Sequence, residues 1–209
     1  MDGVLLSTDE EHYQAWALIC RQEGIYFDRS INLRLRGVSR MDCVDIILEK
    51  ASRTYSQVEK EMLAQRKNEA YLAAVARLDQ HCVLPGVVQF LQGLADLGYR
   101  LASASSSRNA ESLLTASGLT DWFPVRIDGR QISHSKPDPE VFVKAAQALG
   151  LDPASCLVVE DSAAGIQAAR AGGFRSLAVG AANDDWLRLQ SDFCARSLAA
   201  LNADELADW

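Results

Sequence analysis

The chain has 209 residues, 48% of them hydrophobic and 23% charged, with a formal net charge of −7 and a pI near 5.0. That length allows one or two domains and a core that needs neither disulfides nor metals to hold it. The composition excludes a disordered chain, and the acidic balance excludes a general nucleic-acid binder, which needs a basic face. Phosphorylated small molecules stay open, because a few placed cations suffice for them. The five cysteines, Cys20, Cys43, Cys82, Cys156 and Cys194, are widely spaced with no Cys-x-x-Cys. They read as buried, reduced thiols of a cytoplasmic protein. No apolar run approaches the roughly 18 residues of a membrane span, and the start at Met1-Asp2-Gly3 does not have the form of a signal peptide.

Residues 8–84 read as wholly helical. Tyr13, Trp16, Ala17 and Cys20 fall at i, i+3, i+4, i+7, with Gly24 to end the helix. Val44, Ile47, Leu48 and Ala51 repeat that spacing, and a longer charged helix is predicted over 55–78. After Pro85 the pattern changes. A helix over 85–98 is followed by a short run, Tyr99 to Ala104, and a Ser-rich turn. Helices are predicted over 109–117, from Asp138 to Gly150, and over 162–171. Between them Cys156–Val159 and Arg175–Val179 read as buried strands. Strands alternating with helices indicate βαβ units and a parallel sheet. The expected fold is therefore a Rossmann-like α/β core, residues 1–7 and 85–209, with an inserted all-helical domain, 8–84. The tail from about Gly180 is uninformative, apart from helices near Leu187 and Leu206.

The polar groups worth weighing stand after strands, where open α/β sheets bind ligands. They are Ser105-Ser106-Ser107-Arg108-Asn109, Ser135-Lys136-Pro137-Asp138, Glu160-Asp161-Ser162, and Asp2-Gly3 at the start. Singly, each has an ordinary explanation. The serines can cap a helix, Lys136 can be a solvated lysine at a helix start, and Glu160-Asp161 can face a helix N-terminus. Together they offer hard oxygen ligands for Mg²⁺, with a lysine and a hydroxyl for a phosphate.

Asp2-Gly3-Val4, Ser105, Lys136-Pro137 and Glu160-Asp161 stand in the order and context of the haloacid dehalogenase superfamily, which the chain resembles over almost its whole length. The helical segment sits where one class of that superfamily inserts a cap. Gly37-Val38-Ser39-Arg40, Arg66-Lys67-Asn68, and Thr8, His12 and Trp16 resemble the pattern of its β-phosphoglucomutases. So does Ala104-Ser105-Ser106-Ser107-Arg108-Asn109, with Arg108 in place of a lysine.

The resemblance implies a Mg²⁺-dependent phosphomutase, an isomerase interconverting β-D-glucose 1-phosphate and glucose 6-phosphate through an aspartyl phosphate and a bisphosphate. It implies Asp2 as general acid and base, with its main-chain carbonyl on the metal beside Glu160 and Asp161. Ser105 and Lys136 would bind the transferring phosphoryl group, with Ser107 and Asn109 assisting. Arg40, in the loop Gly37-Val38-Ser39, would grip the other phosphate; a solvated arginine paired with Asp42 is the plainer reading. Lys67 and Asn68 would meet sugar hydroxyls or be a helix-surface pair. His12 would sense substrate and cap closure or be a satisfied histidine, and Trp16 reads as core. The implied partner is a sugar phosphate, with no nucleic acid or membrane, and nothing in the sequence demands more than a monomer.

The superfamily motif is Asp-x-Asp-Gly, and this sequence enters it at x, with Met1. The nucleophilic aspartate falls one position ahead, together with the apolar central strand that precedes it. The expectation is a start placed too late or residues left out, against a truncated, inactive chain. Without that strand its neighbours should show unpaired edges and an open groove in the core. The rival functions are a sugar-phosphate phosphatase and a phosphosugar-binding protein without catalysis.

Overall fold

A computed structural model describes residues 1–35, 38–180 and 185–208, and the side chains up to residue 206. The chain divides into two compact units, residues 1–7 with 79–209, and residues 8–78. The chain re-enters the first unit at Asp79, ahead of Pro85. Residues 82–84 are tied to the start of the chain, where Ser7 N–H donates to the Cys82 carbonyl at 3.1 Å and Leu84 N–H to that of Leu5 at 2.9 Å.

The helical unit holds α1 (Asp9–Glu23), α2 (Arg29–Leu33), α3 (Arg40–Leu48) and α4 (Gln57–Val75). Gly24 ends α1 in the left-handed region, and Ser56 with Glu59 forms a reciprocal capping box on α4. Trp16 and Cys20 of α1 pack with Val44, Ile47 and Ala64 in one buried cluster, so Trp16 is core. The short α2 has no apolar period long enough to announce it. The Asp28 carboxylate caps it at Ile31 N–H.

The α/β unit runs α5 (Val87–Asp96), β1 (Ala102–Ala104), α6 (Ala110–Ala116), β2 (Val125–Ile127), α7 (Glu140–Leu149), β3 (Leu157–Glu160), α8 (Ala163–Ala171), β4 (Arg175–Val179), α9 (Asp185–Gln190) and β5 (Phe193–Ala195). Every pairing among these strands is parallel. The apolar side chains between α7, α8 and the strands, among them Val141, Phe142, Val158, Ala168 and Phe174, form the core. Of the run Tyr99–Ala104 only the last three residues pair as strand. β2 and β5 are additional to the strands read from sequence. Each has three residues, too few for an alternation to register.

The sheet is in two parts, β1–β2 and β3–β4–β5. Residues 101–104 and 156–159 line one apolar cavity of about 450 Å³. Among the described residues no helix is long and apolar enough to cross a membrane.

Candidate active site

In the α/β unit the site gathers at the carboxyl ends of β1 and β3. Glu160, the last residue of β3, is 4% exposed and ion-paired with the Lys136 ammonium, itself buried over the Phe142 ring. Its Oε2 accepts from Asp161 N–H, Ser162 N–H and the Ser162 hydroxyl at 2.9–3.0 Å. Ser162 also caps α8 by accepting from Gly165 N–H at 3.1 Å. A Cβ on Gly165 would stand 2.1 Å from Glu160 Cδ, so only glycine lets the carboxylate lie on this helix start. Ser162 and Gly165 lie in a stretch the sequence resemblance covers, yet their support of Glu160 is visible only in three dimensions.

Asp161 faces the turn at the start of the chain. Gly3 has φ +73°, and a Cβ there would meet Asp161 Oδ2 at 1.9 Å. The Asp2 carboxylate accepts from Gly3 N–H at 3.1 Å. Asp2, Glu160 and Asp161 are thus brought together with Lys136. Burial alone would push Glu160 up. The adjacent Lys136 ammonium and the hydrogen bonds it accepts outweigh that and hold it at about 2. Burial first, and then the Glu160 charge, pushes Asp161 up to about 7. The Met1 amino group and the Lys136 ammonium act the other way on Asp161 but do not offset this. Buried hard oxygens with excess negative charge fit Mg²⁺ by donor type and by charge.

The loop after β1 adjoins this cluster. Ser106 Oγ accepts from Lys136 N–H at 3.5 Å. Ser105 Oγ accepts from Ser107 N–H at 3.1 Å, and Ser107 Oγ from Asn109 N–H at 3.2 Å, just ahead of α6. Gly129 N–H donates to the Ser107 carbonyl at 3.2 Å, and buried Asp128 is ion-paired with Arg130. The one local signal of this support in the sequence is the turn dipeptide Asp128-Gly129.

The helical unit carries a second group. Lys67 is 6% exposed, with Nζ 2.6 Å from His12 Nδ1 and 4.6 Å from the centre of the Tyr71 ring. Lys67 and Asn68 are therefore not simply a surface pair: the lysine is interior, on the face of α4 that meets α1. The His12 ring stacks on Tyr71 at 4.1 Å, and the Tyr71 and Thr8 hydroxyls are 3.1 Å apart. Burial, then the Lys67 and Arg40 charges, brings His12 down to about 3. Tyr71, which organises this group, was not singled out from sequence. Ser39 caps α3 by accepting from Asp42 N–H and donates to the Asp42 carboxylate at 2.7 Å. Arg40 donates to Asn68 Oδ1 at 2.9 Å. Val38 is exposed. Gly37 lies outside the described residues.

The haloacid dehalogenase-like hydrolase family matches residues 1–173. The β-phosphoglucomutase of Bacillus subtilis is 37% identical over 182 residues, 86% of this chain and 80% of that protein. A fructose-1-phosphate phosphatase of Escherichia coli is 30% identical over 179 residues, 86% of this chain and 93% of that protein. A crystal structure of a β-phosphoglucomutase from Clostridium difficile superposes with a TM-score of 0.90 at 30% identity, covering 99% of this chain and 92% of the other.

Proposed function

Because the chain belongs to the haloacid dehalogenase-like hydrolases, we propose that it serves a phosphomutase that interconverts β-D-glucose 1-phosphate and glucose 6-phosphate. The observation that carries the reading is the buried cluster of Glu160, Asp161 and Lys136 against the Asp2-Gly3 turn. It concentrates carboxylate oxygens and one ammonium where a phosphoryl group needs a cation and a donor. The 37% identity to the Bacillus subtilis enzyme favours the mutase.

In this reading Glu160, Asp161 and the Asp2 carbonyl hold Mg²⁺. When bound, the ion supplies charge neutralisation for the phosphoryl oxygens. Lys136 and the Ser105 hydroxyl donate to those oxygens. The nucleophile is the aspartate that the superfamily motif places immediately ahead of Met1. Its carboxylate oxygen forms a bond to phosphorus as the bond from phosphorus to the sugar oxygen breaks, and Asp2 gives that oxygen a proton. In the other half-reaction Asp2 takes the proton of a sugar hydroxyl as that oxygen attacks the aspartyl phosphate. Arg40, whose planar fork suits phosphate, takes the phosphate that is not transferred. Lys67, Asn68 and His12 serve the sugar and the cap, and Ser107 and Asn109 shape the phosphate loop.

The test supplies a chain carrying an apolar strand and Asp ahead of Met1 with β-D-glucose 1-phosphate, Mg²⁺ and a bisphosphate primer. Glucose 6-phosphate is the expected product, and a folded, Mg²⁺-binding protein that makes none overturns the reading. Free phosphate without the isomer identifies a phosphatase, the alternative that the Escherichia coli relative favours. Arg40→Ala is expected to impair mutase turnover far more than hydrolysis of a small phosphate ester. Equal losses would remove the role given to Arg40.

A further inference from the structure

Residues 128–139, between β2 and α7, form neither helix nor strand, yet they carry Lys136. A loop of that length does not by its own local geometry keep an ammonium fixed against a carboxylate. What fixes it lies on α7, which is anchored on the core by buried Val141, Phe142, Ala145 and Ala146. Glu140, the first residue of α7, turns its carboxylate back along the loop. Its Oε2 accepts from Ser133 N–H at 2.9 Å and from His134 N–H at 2.8 Å. Its Oε1 is paired with the Lys144 ammonium at 2.6 Å, one turn further along the helix. Lys144 Nζ in turn donates to the Gln131 carbonyl at 2.5 Å. Two side chains of one helix thus hold three main-chain groups of the loop, at Gln131, Ser133 and His134.

A glutamate at a helix start with a lysine four residues on has an ordinary use, which is to support the helix itself. That use needs no partner outside α7. Here one carboxylate oxygen is given to the loop, and the ammonium reaches past the helix to a loop carbonyl. The Glu140 side chain is 19% exposed, so these bonds are largely shielded from water. The Lys144 ammonium first, and then the His134 and Ser133 amides, hold its carboxyl at about 2 against burial. Beyond His134 the chain reaches Lys136 in two residues. The Lys136 amide donates to the Ser106 hydroxyl at 3.5 Å, and its ammonium lies over the Phe142 ring, paired with Glu160. So α7 meets the lysine twice, with Phe142 under its ammonium and Glu140 on the main chain just ahead of it.

We propose that Glu140, backed by Lys144, is a positioning residue for Lys136: it clamps the loop main chain at Ser133 and His134 and thereby sets where the Lys136 ammonium can meet a phosphoryl oxygen. A donor to a transferring group has to be placed within about half an ångström. The inference deepens the proposed reaction and rests on its assignment of Lys136 to phosphate. Glu160 and Asp161 are placed by β3 and the start of α8, not by this loop, so metal binding and phosphate binding can be separated.

The 209-residue chain is compared with Glu140→Ala and Glu140→Gln. Calorimetry reads the affinity for Mg²⁺, and for inorganic phosphate in saturating Mg²⁺. Amide hydrogen exchange is followed at Lys136, whose N–H is bonded to Ser106 and not to Glu140, so it reports transmitted position and not the lost acceptor. Glu140→Ala is expected to speed that exchange by about tenfold or more and to weaken phosphate binding by about tenfold or more, with Mg²⁺ affinity undiminished. Glu140→Gln keeps a carbonyl oxygen for the two amides and should recover most of both losses. If Glu140→Ala does not fold, Lys144→Met takes its place and should show the same two losses, smaller in size. Unchanged exchange at Lys136, unchanged phosphate affinity, a fall in Mg²⁺ affinity that matches the fall for phosphate, or a glutamine variant as impaired as the alanine one overturns the proposal. A wild type that binds Mg²⁺ but no phosphate removes the proposed reaction, and exchange at Lys136 alone then decides whether Glu140 positions it.

Discussion

Acidification from pH 7 to pH 5 should cost the helical unit stability through one ring, His12. In the folded chain His12 is held neutral, brought down to about 3 by burial and by the Lys67 and Arg40 charges. In the unfolded chain it titrates near 6.5. A group depressed in this way is indifferent above the unfolded value. Below it the unfolded state takes up a proton that the folded state refuses, so stability falls as pH drops from about 6.5 toward 3. At pH 5 the linkage is worth about 2 kcal/mol, and at pH 4 about 3 kcal/mol. These are ceilings, because the ring keeps some access to solvent. The perturbation is His12→Asn, whose Oδ1 stands near the position of Nδ1 and can still accept from Lys67 Nζ. Losing the stack on Tyr71 lowers stability at every pH alike. Urea unfolding of both chains at pH 7 and pH 5 isolates the ring, since Asp161, raised to about 7, acts with the opposite sign in both. The wild type should lose about 2 kcal/mol more than the variant on acidification. Parallel pH profiles, or a His12 ring seen by NMR to titrate near 6, would refute the reasoning.

Three further outcomes are expected. Lys136→Met leaves Glu160 buried without its ammonium and should destabilise the protein by about 3 kcal/mol or more in urea, with part of the loss recovered in Lys136→Met/Glu160→Gln. Gly3→Ala, at φ +73° and against Asp161 Oδ2, should lower Tm by several degrees and weaken Mg²⁺ binding measured by calorimetry. Asp161→Asn should stabilise the metal-free protein at pH 7 and abolish the rise in Tm that Mg²⁺ gives the wild type.

What could be read from the sequence follows the strength of local signals. Gly24 and Gly150 close helices as their positions suggest, and the apolar run ending at Val159 is a strand, although only Val158 of that run is buried and Leu157 and Val159 are half-buried. Ser105 and Glu160-Asp161 stand directly at strand ends, whereas Lys136 lies on the long segment between β2 and α7 and is brought to Glu160 only by the fold. Lys67 was harder to read. A lysine between Arg66 and Asn68 on a charged helix looks solvated, and only the facing His12, Trp16 and Tyr71 show that it is interior. The β5 strand escaped notice because its pairing partner β4 lies in another segment of the chain and its own three residues include an exposed cysteine.

The charges at the end of β3 also set an order of binding. Asp2, Glu160 and Asp161 are three carboxylates met by the Met1 amino group and the Lys136 ammonium, and the lysine is already held by Glu160. A phosphate dianion brought to this cluster alone would meet net repulsion, and Lys136 could turn to it only by leaving a buried carboxylate unpaired. A divalent cation changes both terms. It offsets the carboxylates and competes with Lys136 for Glu160, freeing the ammonium to donate to phosphate. Metal and phosphate should therefore bind with positive coupling, each raising the affinity for the other by the same factor. Calorimetric titration of the 209-residue chain with inorganic phosphate, with and without Mg²⁺, reads this directly. Phosphate affinity should rise about tenfold or more with Mg²⁺, a coupling of about 1.4 kcal/mol. Equal affinity in both would mean that Lys136 already serves phosphate while paired with Glu160, and the proposed order would fail.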